Sequence, residues 1–445
     1  MNAASGRQGD WSDRRLHFVG IGGAGMSGLA LVAHELGAQV TGSDRAESSY
    51  TERLRVHGIE PAIGHAASNV PVGAEVVYST AVPSDNPERQ AAQGRELHRA
   101  DLLAQIASLR RCVAVTGTHG KTTTAAMIVH ALRGAGLDPA YVIGGELRDT
   151  GSNAGWGPGE WIVVEADESD RSLLKIDPDV AVLTNAELDH HSTYASRLDL
   201  EQTFKVFMDR AGDHAVVWDR PRLRALCPPG AVPYDAPDVV LSPGASRFHW
   251  RGIEVTLSVP GAHNAVNAAG ALTASALAGA DEHAAASSLE DFKGAKRRFE
   301  RLGQTAAGVP VYDDYAHHPT EVAAAIAAAR TLSPKRLVAV FQPHLFSRTR
   351  SLATEFGKAL AGADVSIVLA VYPARERAED FPGVDGHLIA AAAADAAGGR
   401  TVAWLPGFED ARRFLDATLR PGDLCLLMGA GNVDALGRSI VRSAD

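Results

Sequence analysis

The sequence predicts an α/β protein of three domains built around parallel sheets, and three observations carry that prediction. Short apolar runs recur along the chain, and polar clusters follow directly at their ends, as at the ligand edge of an open α/β sheet. Ala-rich segments suited to helices separate those runs. The 445 residues exceed one ordinary core and match about three domains. The boundaries we expect are 1–107, 108–296 and 297–445.

Composition narrows the function classes. A net charge of −10 disfavours nucleic acid and acidic membranes as partners, so anionic ligands need local sites. No apolar run approaches the roughly 20 residues that span a bilayer, so no membrane insertion is expected. Met1 to Asp13 is polar without an apolar h-region and reads as a frayed tail rather than a secretory signal. Cys112, Cys227 and Cys425 are widely spaced and form no C-x-x-C. That usage fits a reducing, cytoplasmic setting and argues against zinc.

In the first segment, Leu16 to Val19 reads as a strand running into Gly20-Ile21-Gly22-Gly23-Ala24-Gly25-Met26. Gly20, Gly22 and Gly25 satisfy G-x-G-x-x-G, and a helix is expected from Met26 to Leu36. A second strand, Gln39 to Asp44, ends in Ser43 and an acid 19 positions after Gly25. Glycines let a diphosphate approach a helix N-terminus, and the aspartate can accept from ribose hydroxyls. The chemistry recognised is ribose and diphosphate, so a UDP-sugar satisfies it as well as a nicotinamide dinucleotide. Glu75 to Thr80 reads as another strand whose end, Ser79 and Thr80, either meets the same nucleotide or forms a plain turn.

The second segment opens on the run Cys112 to Val115 and the turn Thr116-Gly117-Thr118-His119-Gly120-Lys121-Thr122-Thr123-Thr124, before a helix over Ala125 to Leu132. It holds the short form G-x-x-G-K-T, because the first glycine of the longer Walker pattern falls on Val115. Turn N–H groups, the helix dipole and a lysine ammonium converge on phosphate oxygens, and a threonine hydroxyl can ligate magnesium. A strand ending in Glu165-Ala166-Asp167-Glu168-Ser169-Asp170 places four carboxylates within six residues, one or more of them fit for magnesium. A further strand, Val180 to Asn185, leads to Asp189-His190. Imidazole is an uncommon magnesium ligand, so from its type alone His190 reads as a polar contact. Asn264, near the start of an Ala-rich helix, either caps it or reaches a base edge. Lys293, Lys296, Arg297 and Arg298 place four cations within six residues, a basic hinge suited to phosphate.

In the third segment, Val311 and Tyr312 lead into Asp313-Asp314-Tyr315-Ala316-His317-His318-Pro319, and Leu337 to Phe341 into Gln342-Pro343-His344-Leu345-Phe346-Ser347-Arg348. Val365 to Val371 and Leu424 to Met428 read as two more strands, the latter ending in Gly429-Ala430-Gly431-Asn432. Taken singly, each histidine reads as a structural polar contact.

In this order the motifs resemble the Mur ligase family over nearly the whole chain. The resemblance implies a Rossmann-like UDP-binding domain, a central P-loop ATPase domain and a C-terminal Rossmann-like domain that admits an amino acid. It implies the branch that joins L-alanine to the lactyl carboxylate of UDP-N-acetylmuramate, with ATP, through an acyl phosphate, in cytoplasmic peptidoglycan precursor synthesis. Carried over by position, Lys121, Glu165, His190 and Arg298 resemble the catalytic set, and Thr122, Glu165 and His190 the ligands of two Mg2+ sites. Gly117 to Thr123, Asn264, Asn267, Arg298 and Asp314 resemble the ATP site. Gly20, Gly22, Gly23, Ala24, Gly25, Met26, Ser43, Asp44, Ser79 and Thr80 fall to the UDP-sugar. Tyr315, His317 and Arg348 fall to the amino acid. Leu345 departs from the basic residue of many relatives, and Lys205, the first lysine after His190, is poorly spaced for the carbamylated lysine of related ligases. Murein tripeptide ligases, folylpolyglutamate synthases, nicotinamide dehydrogenases and non-catalytic nucleotide sensors are the competing readings.

Overall fold

The computed structural model describes residues 11–190 and 193–441. The expected tail lies outside the described residues up to residue 10. Trp11 departs from that expectation, since it is buried and Arg14 stacks 4.4 Å from its ring centre. The chain divides into two compact units. One holds residues up to 188 with 196–235 and 267–289, and the other holds 189–195, 236–266 and the chain from 290.

The first unit contains two sheets. Strands β1 (Arg15–Val19), β2 (Gln39–Asp44), β3 (Ala62–Ile63), β4 (Glu75–Tyr78) and β5 (Glu96–His98) form a five-stranded sheet in the order β3-β2-β1-β4-β5. Every pairing in it is parallel. The order reverses at β1 and β4, and a crevice at such a switch point is where open α/β sheets take their ligands. Strands β6 (Arg111–Thr116), β7 (Ala140–Val142), β8 (Ala154–Gly155), β9 (Trp161–Glu165), β10 (Val180–Leu183), β11 (Ala215–Trp218) and β12 (Val232–Tyr234) form a seven-stranded sheet. Its order is β12-β11-β10-β6-β9-β7-β8, with only β7–β8 antiparallel. Its central strand β6, flanked by β9 and β10, is buried from Cys112 to Thr116, so its apolar run is continuous rather than alternating.

The second unit contains an antiparallel sheet that the sequence reading lacked. It comprises β13 (Val240–Ser242), β14 (Ala245–Trp250) and β15 (Ile253–Leu257). Ser246, Phe248 and Trp250 of β14 are buried in alternation with exposed neighbours, the pattern of a half-buried strand. Strands β16 (Glu300–Gln304), β17 (Pro310–Asp314), β18 (Arg336–Phe341), β19 (Val365–Val368), β20 (Thr401–Trp404) and β21 (Asp423–Met428) form a six-stranded sheet in the order β16-β17-β21-β18-β19-β20. Only its edge strand β16 runs antiparallel. Leu337, Ala339 and Phe341 pack with Leu424, Leu426 and Met428 in one core, while Val338 and Val340 pack with Cys425 and Leu427 in another. Period-two alternation therefore builds a core on each face, as a sheet covered by helices on both sides requires. Among the described residues, no helix is long and apolar enough to cross a membrane.

Candidate functional site

The turn after β6 holds its shape through glycine and two residues of β10's exit. Gly117 has φ +126°, and a Cβ there would collide with Thr184 Oγ1 and the Asn185 backbone. Gly120 has φ +78°, and a Cβ would lie 2.8 Å from Asn267 Oδ1. Asn185 Oδ1 accepts from His119 N–H at 2.9 Å, and its Nδ2 donates to His119 O at 2.9 Å. Thr118 is latched to the Glu187 backbone, its hydroxyl donating to Glu187 O at 2.8 Å and accepting from Glu187 N–H at 3.0 Å. The helix Lys121–Gly134 starts on the lysine, with no acid in its first turn, so its N-terminal dipole faces the turn uncompensated.

Lys121 Nζ donates to Gly117 O at 2.6 Å and to Glu168 at 2.8 and 3.1 Å. Burial alone would lower its pKa, but the carboxylates of Glu168, Asp167 and Glu165 outweigh burial and raise it. Glu165 accepts from Gly144 N–H at 2.6 Å and from Thr122 Oγ1 at 3.2 Å. A hydroxyl and a carboxylate this close form a pair of hard oxygen donors of the kind magnesium takes. Asp167 and Asp170 reach Arg99 Nη2 at 3.1 and 3.3 Å. The acidic strand end is thus divided by side chain, with Glu165 and Glu168 toward the phosphate turn and Asp167 and Asp170 toward Arg99.

In the five-stranded sheet, Gly20 turns at φ +77°, and the N–H groups of Gly20 and Ile21 both donate to Ser43 O. Asp44 Oδ2 accepts from Gly22 N–H at 2.8 Å, so the fingerprint acid braces the turn as well as facing it. Gly23 caps the helix Ala24–Glu35, whose first turn includes Gly25 and buried Met26. Asn153 Nδ2 donates to Ala24 O at 2.5 Å, and a Cβ on Gly28 would come within 3.0 Å of that nitrogen. Ser43 is fully buried, its hydroxyl held between Glu88 at 2.5 Å and His65 at 2.8 Å, so its side chain sits behind the turn. Burial would raise Glu88, but hydrogen bonds from His17, Ser43 and Asn69 hold it at about 2. Ser79 and Thr80 follow β4, where the register Phe18 to Val77 sets them beside the glycine turn.

The second unit holds the remaining expected residues. Asp314 accepts from Phe299 N–H and Ala316 N–H, both at 2.8 Å, and burial pushes it up to about 6. Arg297 is a structural pin, donating to Asp313 at 2.9 Å and to Gly429 O and Gly431 O at 2.7 and 2.8 Å. Arg298 lies 5.3 Å from the Tyr315 ring centre and 3.9 Å from Glu321. Asn264 Nδ2 donates to Pro260 O at 2.7 Å, a local tie that differs from a cap, in which the side chain would accept from a backbone N–H. His317 Nδ1 lies 2.9 Å from Tyr315 O, which assigns the proton to Nδ1 and leaves Nε2 an acceptor. Burial lowers His317 to about 4 and His344 to about 3, so both are neutral near pH 7.

Arg348 differs from what its type suggests. Its Nε and Nη2 donate to Asp189 at 2.9 and 2.8 Å, and its Nη1 to His344 Nδ1 at 3.0 Å. The pair is 2% and 3% exposed, so the fork expected for a substrate carboxylate is already filled by a protein one. Burial would raise Asp189, and the Arg348 guanidinium instead holds it well below the carboxylate range. His190, next to it, has φ +53° and donates its backbone N–H to Asp189 Oδ1. Leu345 is buried at φ +69°. Lys205 is exposed on the helix Arg197–Ala211 beside Asp209.

Three family models match the chain in order: "Mur ligase family, catalytic domain" over residues 15–111, "Mur ligase middle domain" over 115–228, and "Mur ligase, glutamate ligase domain" over 297–431. A UDP-N-acetylmuramate--L-alanine ligase of Streptomyces griseus subsp. griseus is 44% identical, with 96% of each chain covered. The chain belongs to the Mur ligase family. The Rubrobacter xylanophilus protein of the same name is 42% identical, covering 96% of this Mur ligase and 99% of the relative. The crystal structure of UDP-N-acetylmuramate-alanine ligase MurC from Thermotoga maritima superposes with a TM-score of 0.82 at 27% identity, covering 96% of this chain and 98% of that one. A murein peptide ligase from Psychrobacter arcticus shares the fold, with a TM-score of 0.71 at 22% identity.

Within this Mur ligase, Lys121, Thr122, Glu165 and Asn267 lie in the first unit, and His190, Asn264, Arg298, Asp314, Tyr315, His317 and Arg348 in the second. Sequence reasoning missed Glu168 as the partner of Lys121 and Thr184 with Asn185 as the latch of the phosphate turn. Glu168 stood in the acidic cluster, but nothing in its spacing distinguished it from its neighbours. Asn185, by contrast, ends an apolar strand next to the phosphate strand, a position that marks the ligand edge.

Proposed function

We propose that this Mur ligase joins L-alanine to the lactyl carboxylate of UDP-N-acetylmuramate, converting ATP to ADP and phosphate, in cytoplasmic synthesis of peptidoglycan precursors. The observation that carries the reading is the pairing, in one compact unit, of a glycine turn braced by Asp44 with a lysine-bearing phosphate turn faced by Glu165. A dehydrogenase has no use for the second turn, and a nucleotide sensor has no use for both.

A carboxylate is a poor electrophile, and phosphorylation turns one of its oxygens into a leaving group. A lactyl oxygen attacks the γ-phosphorus, and the bond to the β,γ-bridging oxygen breaks as ADP leaves. The deprotonated alanine amine then attacks the acyl carbon, and the tetrahedral intermediate expels phosphate to leave the amide. Negative charge gathers on the transferring group, so donors fixed in advance around it lower the barrier. In this scheme the N–H groups of Gly117, Thr118 and Gly120, with Lys121 and Thr123, hold the β- and γ-phosphates, while His119 N–H stays on Asn185. Arg298 meets the γ-phosphate, Asn264 and Asn267 the adenine side, and Asp314 the nucleotide. Thr122 and Glu165 fit a Mg2+ ion, and His190 is proposed at a second. When bound, magnesium neutralises phosphate oxygens. The proposed domains are 1–107 for the UDP-sugar, 108–296 for ATP and 297–445 for the amino acid.

Tyr315 and His317 are assigned to the alanine end. The alanine carboxylate reaches the Arg348 fork by displacing Asp189, which is the exchange of one carboxylate for another. Burial keeps His317 and His344 neutral near pH 7, so the ammonium proton passes to a nearby histidine or to water. Purified enzyme with Mg2+ and ATP should release phosphate only when UDP-N-acetylmuramate and L-alanine are both present. Release with a tripeptide in place of alanine would move the assignment to a murein tripeptide ligase.

A further inference from the structure

Arg99 opens the helix Arg99–Ala107 in the first unit, and its guanidinium stands between the acidic end of β9 and the Gly20–Gly25 turn. On one side, Nη2 alone is shared by Asp167 at 3.1 Å and Asp170 at 3.3 Å. On the other, Nη1 lies 3.7 Å from where a Cβ of Gly25 would be, in van der Waals range of the last glycine of the sugar-nucleotide turn. Among the described residues, Nη1 and Nε have no hydrogen-bond partner.

That asymmetry separates Arg99 from arginines whose fork is already filled by a protein carboxylate. Arg348 on Asp189 and Arg336 on Asp423 both engage Nε and Nη2 together, the planar fork matched to a carboxylate. Arg99 places two carboxylates on one nitrogen and turns the rest of the fork toward the N-terminus of the helix Ala24–Glu35. Its side chain is 20% exposed, and a partly exposed tie of this kind adds little to stability. A guanidinium fixed from behind, with donors open toward a glycine turn, is preorganised for phosphate oxygens.

We propose that Arg99 is a substrate-binding residue that donates from Nη1 to the diphosphate of the sugar nucleotide, while Nη2 on Asp167 and Asp170 ties that subsite to the acidic strand end serving the ATP site. The inference rests on the sugar-nucleotide reading of the Gly20–Gly25 turn. The same strand end carries Glu165 and Glu168, so filling the diphosphate subsite stiffens the segment that faces Thr122 and Lys121.

The test is calorimetric binding of UDP-N-acetylmuramate, UDP, uridine and ATP to wild type, Arg99→Met and Arg99→Lys. Charge-assisted hydrogen bonds of this kind set the expected loss for UDP and UDP-N-acetylmuramate in Arg99→Met at roughly tenfold to a hundredfold. Uridine and ATP should bind it as they bind wild type, and Arg99→Lys should fall between. Unchanged UDP affinity in Arg99→Met, or an equal loss for uridine and UDP, overturns the inference. If Arg99→Met does not fold, Arg99→Lys decides by the same comparison. A wild-type enzyme that binds none of the uridine compounds refutes the underlying sugar-nucleotide reading instead.

Discussion

Replacing Lys121 by alanine should produce two defects that a second substitution separates. Lys121 faces Glu168 at 2.8 Å, with the lysine side chain 16% and the glutamate 1% exposed. Removing the cation takes the charged partner from a carboxylate that is almost closed to water, and breaking a buried pair from one side costs about 3–5 kcal/mol. Because Lys121 keeps some solvent, we expect the lower end, about 3 kcal/mol, which lowers the folding equilibrium constant more than a hundredfold. Adding Glu168→Gln removes the stranded charge and should restore most of that stability. It should not restore turnover, because the charge that meets the phosphates is still missing. Urea denaturation followed by tryptophan fluorescence reads the first quantity, and phosphate release reads the second. UDP-N-acetylmuramate binding should persist in both variants. A Lys121→Ala enzyme as stable as wild type, or turnover regained in the double variant, would refute the reasoning.

Other perturbations follow from the same geometry. Gly117→Ala places a methyl group against Thr184 and Asn185 at φ +126°, so ATP binding should be lost while UDP-N-acetylmuramate binding, measured by calorimetry, is kept. Arg53 Nη2 meets Glu146 at 2.6 Å, and Glu146 is 3% exposed, so Arg53→Met should lose about 3 kcal/mol by denaturation and regain most of it with Glu146→Gln added. Burial lowers His317 from 6.5 to about 4, so between those pH values the unfolded chain takes up a proton that the folded chain refuses. Its contribution to stability is lost as pH falls through that window. His317→Gln should therefore make the acid-side decline in unfolding free energy shallower, by roughly 3 kcal/mol over the window, measured by urea denaturation at a series of pH values. Substituting Asp189→Asn loosens the carboxylate that fills the Arg348 fork, so the KM for L-alanine should change while the KM for UDP-N-acetylmuramate does not.

The two phosphate turns were legible because their chemistry is local. Glycines at positive φ, Gly20 in one turn and Gly117 with Gly120 in the other, stand directly between an apolar strand and the start of a helix. Parallel strands such as β6, β10 and β18 were legible as apolar runs for the same reason. The sheet of β13 to β15 was missed even though β14 alternates, since its strands are short and β13 is wholly exposed. Pairings across long separations had no signature at all. Lys121 finds Glu168, Arg53 finds Glu146, and Arg348 finds Asp189 only because the sheets bring them together. Arg348 is the instructive case, since residue type suited it to the alanine carboxylate while its fork holds Asp189. Ser43 teaches the converse, because a position beside the fingerprint acid is no guarantee of exposure when Glu88 and His65 hold its hydroxyl.

The central claim is that a carboxylate is activated by phosphorylation before the amine arrives. Its most direct test is oxygen transfer from UDP-N-acetylmuramate labelled with 18O in the lactyl carboxylate, incubated with enzyme, Mg2+, ATP and L-alanine. The account predicts one 18O atom in each inorganic phosphate released, with ADP as the other product. Unlabelled phosphate, or label appearing in AMP, would contradict it.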